Sequence, residues 1–298
     1  MNQELPGLLE LPSPFLRESG RLRLMESADS RREELYERIV GGTYSKPYIL
    51  EDEALRYLCF GIDNIQSVMR ISEPYALDLA YTQAMMAFLL FNCQPRRIAL
   101  IGLGGGSIAK YCYRYLPSAR IAAVESDADV IALRDEFLVP HDDFRFSVIQ
   151  ADGAAYLSSL RRRVDALLVD AYDRAGIPPS LANPGFYEDA WRCLSPTGMF
   201  VMNIAGDRST RLSHLSWIRD VFGEAVIALL MEDSRNYVVF ASKDRFFEPQ
   251  WKWLVCHARR LEDLFDLEFS TYVKRFKQCY DCRINEASRV SLEIFGDT

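Results

Sequence analysis

The sequence predicts an α/β fold, a doubly wound and mostly parallel sheet. Three observations predict it. From Arg96 onward, short apolar runs alternate with helical segments, the pattern of strands joined by crossover helices. Four glycines, Gly102, Gly104, Gly105 and Gly106, stand between the first run and its helix. The next three apolar runs each end at or just before an acid, Glu125, Asp152 and Asp170.

The elements follow in order. Residues 1–42 are polar, with a helix expected over SADSRREELYERIV. Residues 43–76 alternate apolar and polar through KPYILEDEALRYLCF and GIDNIQSVMRI, which reads as a small β-hairpin turning at Gly61-Ile62-Asp63-Asn64. YALDLAYTQAMMAFLLF has helical length and a broad apolar face. The strands RIALIGL, RIAAVES, FRFSVIQ, VDALLVD and GMFVMNI then alternate with the helical SIAKYCYRYL, ADVIALRDEFL, GAAYLSSL, GFYEDAWRCL and RLSHLSWIRDVF. The last two strands, EAVIALLM and NYVVFAS, are joined by only EDSRN. That link is too short for a crossover, so the final strand is expected antiparallel. Residues 77–245 are thus expected to form one doubly wound unit, and 246–298 one or two amphipathic helices packed on it.

Composition narrows the function. The 298 residues carry 35 basic and 42 acidic side chains, a net charge of −7. That balance argues against a nucleic-acid binder, which needs a basic face, and suits a cationic ligand such as an amine. No apolar run approaches the roughly 20 residues that span a bilayer, and the N-terminus lacks a signal pattern. Seven scattered cysteines fit reduced thiols in the cytoplasm. Cys279 and Cys282 form one CxxC with no second pair, and His141, His214 and His257 show no ligand spacing, so no metal site is expected.

The glycine loop lets the backbone turn tightly and approach a ligand beyond the carboxyl ends of the strands. Glu125 stands about 20 residues on, where an acid accepts the hydroxyls of an adenosine ribose. Asp152 is read as a helix N-cap, as an acceptor for the adenine amino group, or as both. The loop runs Gly-Leu-Gly-Gly-Gly-Ser rather than GxGxxG, which favours an adenosine ligand without a pyrophosphate: S-adenosylmethionine or its decarboxylated form. Asp170 and Asp173 follow the fourth strand in LLVDAYDRAGIPP.

IGLGGGSIAKY, AVESDADVI, IQADGAAYL, LLVDAYDRAGIPP and GFYEDAWRCLSPTGMFVMNI resemble the spermidine synthase family over roughly residues 45–245. The resemblance implies a Rossmann-like sheet of the class I S-adenosylmethionine-dependent transferase type with a small N-terminal β-unit. It implies aminopropyl transfer from decarboxylated S-adenosylmethionine to an amine, a polyamine among the candidates, and a homodimer. It places Asp170 and Asp173 at the acceptor amine as catalytic carboxylates. The donor is expected on Gly102, Leu103, Gly104, Gly105 and Gly106, on Glu125 and Ser126, and on Asp152, Gly153 and Asp170. The acceptor is expected on Gln66, Tyr81, Gln83 and Tyr172.

The chain departs from the family's pattern in four places. Gly105 replaces the loop acid that holds the donor's amine. Tyr81-Thr82-Gln83 replaces Tyr-His-Glu or Tyr-Gln-Glu, removing a second acid. Ala171-Tyr172 replaces two small polar residues, and Arg174 replaces a proline. Arg174 is read as a solvated side chain, or as one that meets a carboxylate. Three readings stand at this point: an aminopropyltransferase, an S-adenosylmethionine-dependent methyltransferase on the same fold, and a non-catalytic homologue that binds a nucleoside or a partner.

Overall fold

The computed structural model describes residues 8–15, 20–62 and 64–281. Two sheets organise them. Strands β1 (Leu9–Pro12), β2 (Arg21–Leu24), β3 (Tyr48–Glu51), β4 (Leu55–Gly61) and β5 (Asn64–Arg70) form a five-stranded antiparallel sheet in sequence order. Strands β6 (Arg97–Ile101), β7 (Arg120–Glu125), β8 (Phe146–Gln150), β9 (Val164–Val169), β10 (Leu194–Ile204), β11 (Val226–Leu230) and β12 (Tyr237–Ser242) form the second, ordered β11-β12-β10-β9-β6-β7-β8. Strand β12 is antiparallel to both β10 and β11, and the pairings from β10 to β8 are parallel.

The parallel strands are mostly apolar because both faces are covered. Ile98 and Leu100 of β6, with Ala166 and Leu168 of β9, point into one core, while Ala99, Ile101, Leu167 and Val169 point into the other. Helices α3 (Ser107–Tyr115) and α8 (Trp251–Phe265) contribute to the first. Helices α6 (Pro184–Cys193) and α7 (Arg208–Phe222) contribute to the second. Leu58, Phe60 and Met69 of the N-terminal sheet also enter the first core, which joins the two sheets. The fully buried Lys110 of α3 reinforces that joint by donating to the Phe137 carbonyl at 2.8 Å and to Met69 Sδ at 3.0 Å. Burial pushes this lysine down to about 8.

Several expectations need correction. Residues 1–42 are not merely a polar helical segment, because β1 and β2 extend the N-terminal sheet. Their four-residue, alternately buried strands are too short to stand out from polar surroundings. Helix α1 spans only Arg32–Val40, its predicted first turn being taken up by turns at Ser27–Ser30. The long helix expected over residues 75–91 is one turn and a half of α-helix, α2 (Ala80–Met85), followed by a 3₁₀ stretch over Met86–Leu90. Helix α4 covers only Ala128–Ala132; Leu138 adopts a φ of 54°, which no helix continues. Asp63, and Cys282 with its CxxC spacing, lie outside the described residues.

The carboxyl ends of four strands are locked level with one another. Asp170 N–H donates to the Ile101 carbonyl at 2.9 Å, Gly102 N–H to Val124 at 2.8 Å, and Ala151 N–H to Glu125 at 3.0 Å. At this crossing Gly102 has a φ of 96°, and a Cβ there would lie 2.1 Å from the Asp170 carbonyl oxygen. Neither backbone can yield without breaking the sheet ladder, so Gly102→Ala is expected to cost more than about 2 kcal/mol, read as a lowered denaturation midpoint.

A second prediction concerns His214 of α7. It is 2 % exposed, its Nδ1 bonded to the Tyr187 hydroxyl, and burial pushes it down to about 4. A histidine whose folded value is depressed stabilises the fold fully above its unfolded value, near 6.5, and loses that stabilisation as the pH falls through its folded value. Urea denaturation between pH 7 and pH 4 should therefore lose about 3 kcal/mol that a His214→Gln variant does not lose.

Candidate active site

A cavity of about 460 Å³ opens over the level strand ends, between the parallel sheet and the β4–β5 hairpin. That size suits a nucleoside with a short tail. Gly102, Leu103, Gly104, Glu125, Ser126, Asp152, Gly153, Asp170, Tyr172, Asp173, Gln66 and Tyr81 all line it, so twelve of the fifteen residues named from the sequence converge.

Gly105, Gly106 and Gln83 do not line it. A Cβ on Gly105 would meet Ser67 Cβ at 2.8 Å and the Phe137 ring at 2.9 Å. Its amide donates to the Ser67 hydroxyl at 2.8 Å. Gly106 faces Val139. Both glycines therefore pack the loop against the N-terminal sheet and the segment after α4. The Gln83 amide donates to the Leu77 carbonyl at 2.6 Å. Two residues on from Tyr81, it lies on the far side of a helical turn.

Glu125 ends β7 and braces the loop. Its Oε2 accepts from Leu103 N–H at 2.9 Å and its Oε1 from Asp127 N–H at 3.0 Å. Asp127 caps α4, accepting from Asp129 N–H at 2.8 Å. Asp152 caps α5 (Gly153–Ser159), accepting from Ala155 N–H at 2.9 Å and from the Ser180 hydroxyl at 2.7 Å. Burial pushes this carboxyl up, but those hydrogen bonds outweigh it and hold it below its usual range. Pro178, Ser180 and Leu181 of the following loop close that side of the cavity.

The two acids of the fourth strand end have different surroundings. Asp170 is half-buried and gripped on both oxygens: Oδ2 accepts from the Tyr81 hydroxyl at 3.3 Å and Oδ1 from the Asn203 amide at 3.0 Å. Burial raises its proton affinity above the ordinary carboxylate value, and the Asn203 and Tyr81 donors pull partly the other way. Burial and the neighbouring Asp170 keep Tyr81 protonated well above its usual value. Asp173 is exposed and shapes a tight turn, accepting from Ala175 N–H at 2.6 Å. Tyr172 is turned across β10, its hydroxyl donating to the Asn203 carbonyl at 2.6 Å and accepting from Ala205 N–H at 2.7 Å.

Arg174 is exposed, as one of its two readings had it, but it is anchored to backbone carbonyls and meets no carboxylate among the described residues. Its guanidinium donates to the carbonyls of Phe60, Ser45 at 2.6 Å and Lys46 at 3.0 Å, fastening the acidic loop to the N-terminal sheet. Sequence reasoning missed Ser67, Asn203 and Asn236. Asn203 carried one signal, an amide inside the apolar run GMFVMNI; Asn236 carried none. Among the described residues, no three His, Cys, Asp or Glu side chains gather as metal ligands, and no helix is long and apolar enough to cross a membrane.

Comparison with known proteins agrees with this arrangement. The spermine/spermidine synthase domain matches residues 78–216. A polyamine aminopropyltransferase of Chromobacterium violaceum is 40% identical over 232 residues, 77% of this chain and 88% of that protein. The crystal structure of a probable spermidine synthase from Corynebacterium glutamicum superposes with a TM-score of 0.59 at 21% identity, covering 71% of this chain and 84% of that one. Human methyltransferase-like protein 13, solved with SAH, superposes with a TM-score of 0.58 at 22% identity over 63% of this chain and 93% of its own. At such identities the two structures speak for the fold, a class I transferase sheet. The identity to the Chromobacterium enzyme covers 88% of that relative, and by it this chain belongs to the spermine/spermidine synthase family.

Proposed function

We propose that this protein is an aminopropyltransferase, in which Asp170 prepares an amine acceptor to attack the aminopropyl carbon of decarboxylated S-adenosylmethionine. One observation carries the reading: a half-buried carboxylate of raised proton affinity, held on both oxygens by neutral donors, at the wall of a nucleoside-sized cavity. The 40% identity to a polyamine aminopropyltransferase supports it.

The chemistry assigns the roles. An amine arrives as an ammonium and must lose a proton before it can attack. Asp170 takes that proton, and its raised affinity keeps it an effective base near neutral pH. The nitrogen–carbon bond forms as the carbon–sulfur bond breaks, and the bonding pair returns to sulfur, turning a sulfonium into a neutral thioether. Asp173 is the other carboxylate on the acceptor side and supplies attraction for a cationic chain. Glu125 keeps lone pairs beyond those given to Leu103 and Asp127, enough for a ribose diol. Asp152 keeps lone pairs for an adenine amino group. Gly102 and Gly104 let the donor lie against the backbone. Gln66, with its amide bonded to Asn64 Oδ1 at 2.6 Å, and Tyr81 line the path to the acceptor.

We place donor binding in residues 77–245, with the N-terminal sheet covering the cavity. The enzyme is proposed to be cytoplasmic, a reading that the buried thiols Cys59, Cys112 and Cys193 support, and homodimeric.

Donor choice is the first test. Gly105 offers no acid and points away from the cavity, so decarboxylated S-adenosylmethionine must be selected by Asp170 and Asp173. Calorimetric titration should show it binding more tightly than S-adenosylmethionine; tighter binding of the carboxylated donor would move the protein to methyl transfer. The second test is the pH profile. The acid limb of kcat/KM should lie above the ordinary carboxylate value of about 4. Asp170→Asn should abolish transfer at every pH. Tyr81→Phe removes a hydrogen bond that favours the ionised form, so its limb should move to still higher pH.

A further inference from the structure

Asp170 is not oriented by its immediate neighbours alone. The register of the sheet sets Met202 of β10 against Val169 of β9, so the next residues, Asn203 and Asp170, stand side by side. On the other flank, Ile204 of β10 faces Tyr237 of β12, which brings Asn236, the last residue of the β11–β12 turn, up to Asn203. The Asn236 amide donates to Asn203 Oδ1 at 3.1 Å, and the Asn203 amide donates to Asp170 Oδ1 at 3.0 Å. Asn236 also lines the cavity.

The turn is built to hold this residue. Arg235, immediately before it, adopts a φ of 56°, a left-handed conformation that side-chain-bearing residues seldom take. The Asn236 carbonyl is tied to Met231 N–H at 2.8 Å, and the Arg275 guanidinium holds the Leu230 carbonyl at 2.7 Å. Strain of this kind concentrates where a side chain must be aimed.

The bonds have one direction. An ionised carboxylate only accepts, so Asn203 must present its amide nitrogen to Asp170. Its carbonyl oxygen, in a side chain 3 % exposed, then needs a donor, which Asn236 provides. Without it, Asn203 loses the partner that fixes its orientation, and its amide is no longer held against Asp170. We propose that Asn236 is a positioning residue for the transfer reaction: through Asn203 it holds Asp170 in the ionised, proton-accepting form. This rests on the reading of Asp170 as the base.

The groups that face Asp170 are few. Tyr81 comes from α2, Tyr172 and Asp173 from its own loop, Asn203 and Asn236 from the far strands, and Glu125 from β7 across the cavity, while Arg174 turns away to the carbonyls of the N-terminal sheet. Among the described residues, none of the others gives Asn203 Oδ1 a donor; the Tyr172 hydroxyl goes to the Asn203 backbone carbonyl instead.

The test is the pH profile of kcat/KM with decarboxylated S-adenosylmethionine and 1,4-diaminobutane, beside the melting temperature and calorimetric binding of 5′-methylthioadenosine. Asn236→Ala should fold and bind the nucleoside like the parent, while its acid limb moves up by about half a pH unit or more, the worth of one hydrogen bond. Its deficit should shrink as the pH rises. Asn236→Asp, close to isosteric, replaces the donor with an acceptor and should move the limb further; it also serves if the alanine variant does not fold. A limb that stays in place in both, or a loss equal at every pH, overturns the proposal. If Asp170→Asn transfers at the parental rate, the base assignment has failed instead; if Asp170→Asn is dead and the Asn236 limb is unmoved, only the positioning role has failed.

Discussion

The crossing of Gly102 under the Asp170 carbonyl is the constraint from which the rest of the site follows. Two parallel strands end there with their backbones in contact, and a side chain on Gly102 would occupy the carbonyl's place. With β6 and β9 locked at that point, the ladder carries the alignment outward to Glu125 and Ala151 on one side and to Asn203 on the other. A parallel sheet sends its strand ends to a common edge, and ligands collect at that edge. The close approach turns that general tendency into a cavity with fixed walls.

The cavity's electrostatics are set by what surrounds its acids. Among the described residues Asp170 accepts side-chain hydrogen bonds from the neutral Tyr81 and Asn203, and burial raises its proton affinity. Asp152, beside a helix amide and a hydroxyl, is driven the other way. The one cation in the loop, Arg174, is occupied by backbone carbonyls of the opposite sheet. That arrangement stops it from neutralising Asp173 and fastens the acidic loop across the cleft, so the roof and the floor of the site belong to different sheets.

The sequence made much of this legible. Glycines between a strand and a helix, acids at successive strand ends and a short final link are local patterns, and each reflects a local steric or hydrogen-bonding demand. Glu125, Asp152 and Asp170 were placed that way, and Tyr81 and Gln66 through resemblance. The misses share a different cause. The two N-terminal strands are four residues each, and only the pairing of β1 with β2 and of β2 with β3 makes them strands. Gly105 reads as part of a ligand loop, but Ser67 and Phe137, 38 and 32 positions away in the chain, decide that it faces inward. Asn236 lies in an unremarkable polar turn.

By itself, then, the sequence determined the class of fold, the edge where the cavity opens and the acids that line it, because those depend on periodicity and on backbone freedom at a few glycines. Only the tertiary structure decided the state of those acids. Whether a carboxylate caps a helix, shapes a turn or takes a proton depends on its burial and on donors brought from other strands. Tyr81, Asn203 and Asn236 reach Asp170 because sheet register sets them there, and register is a property of strand pairing that no single stretch of chain contains.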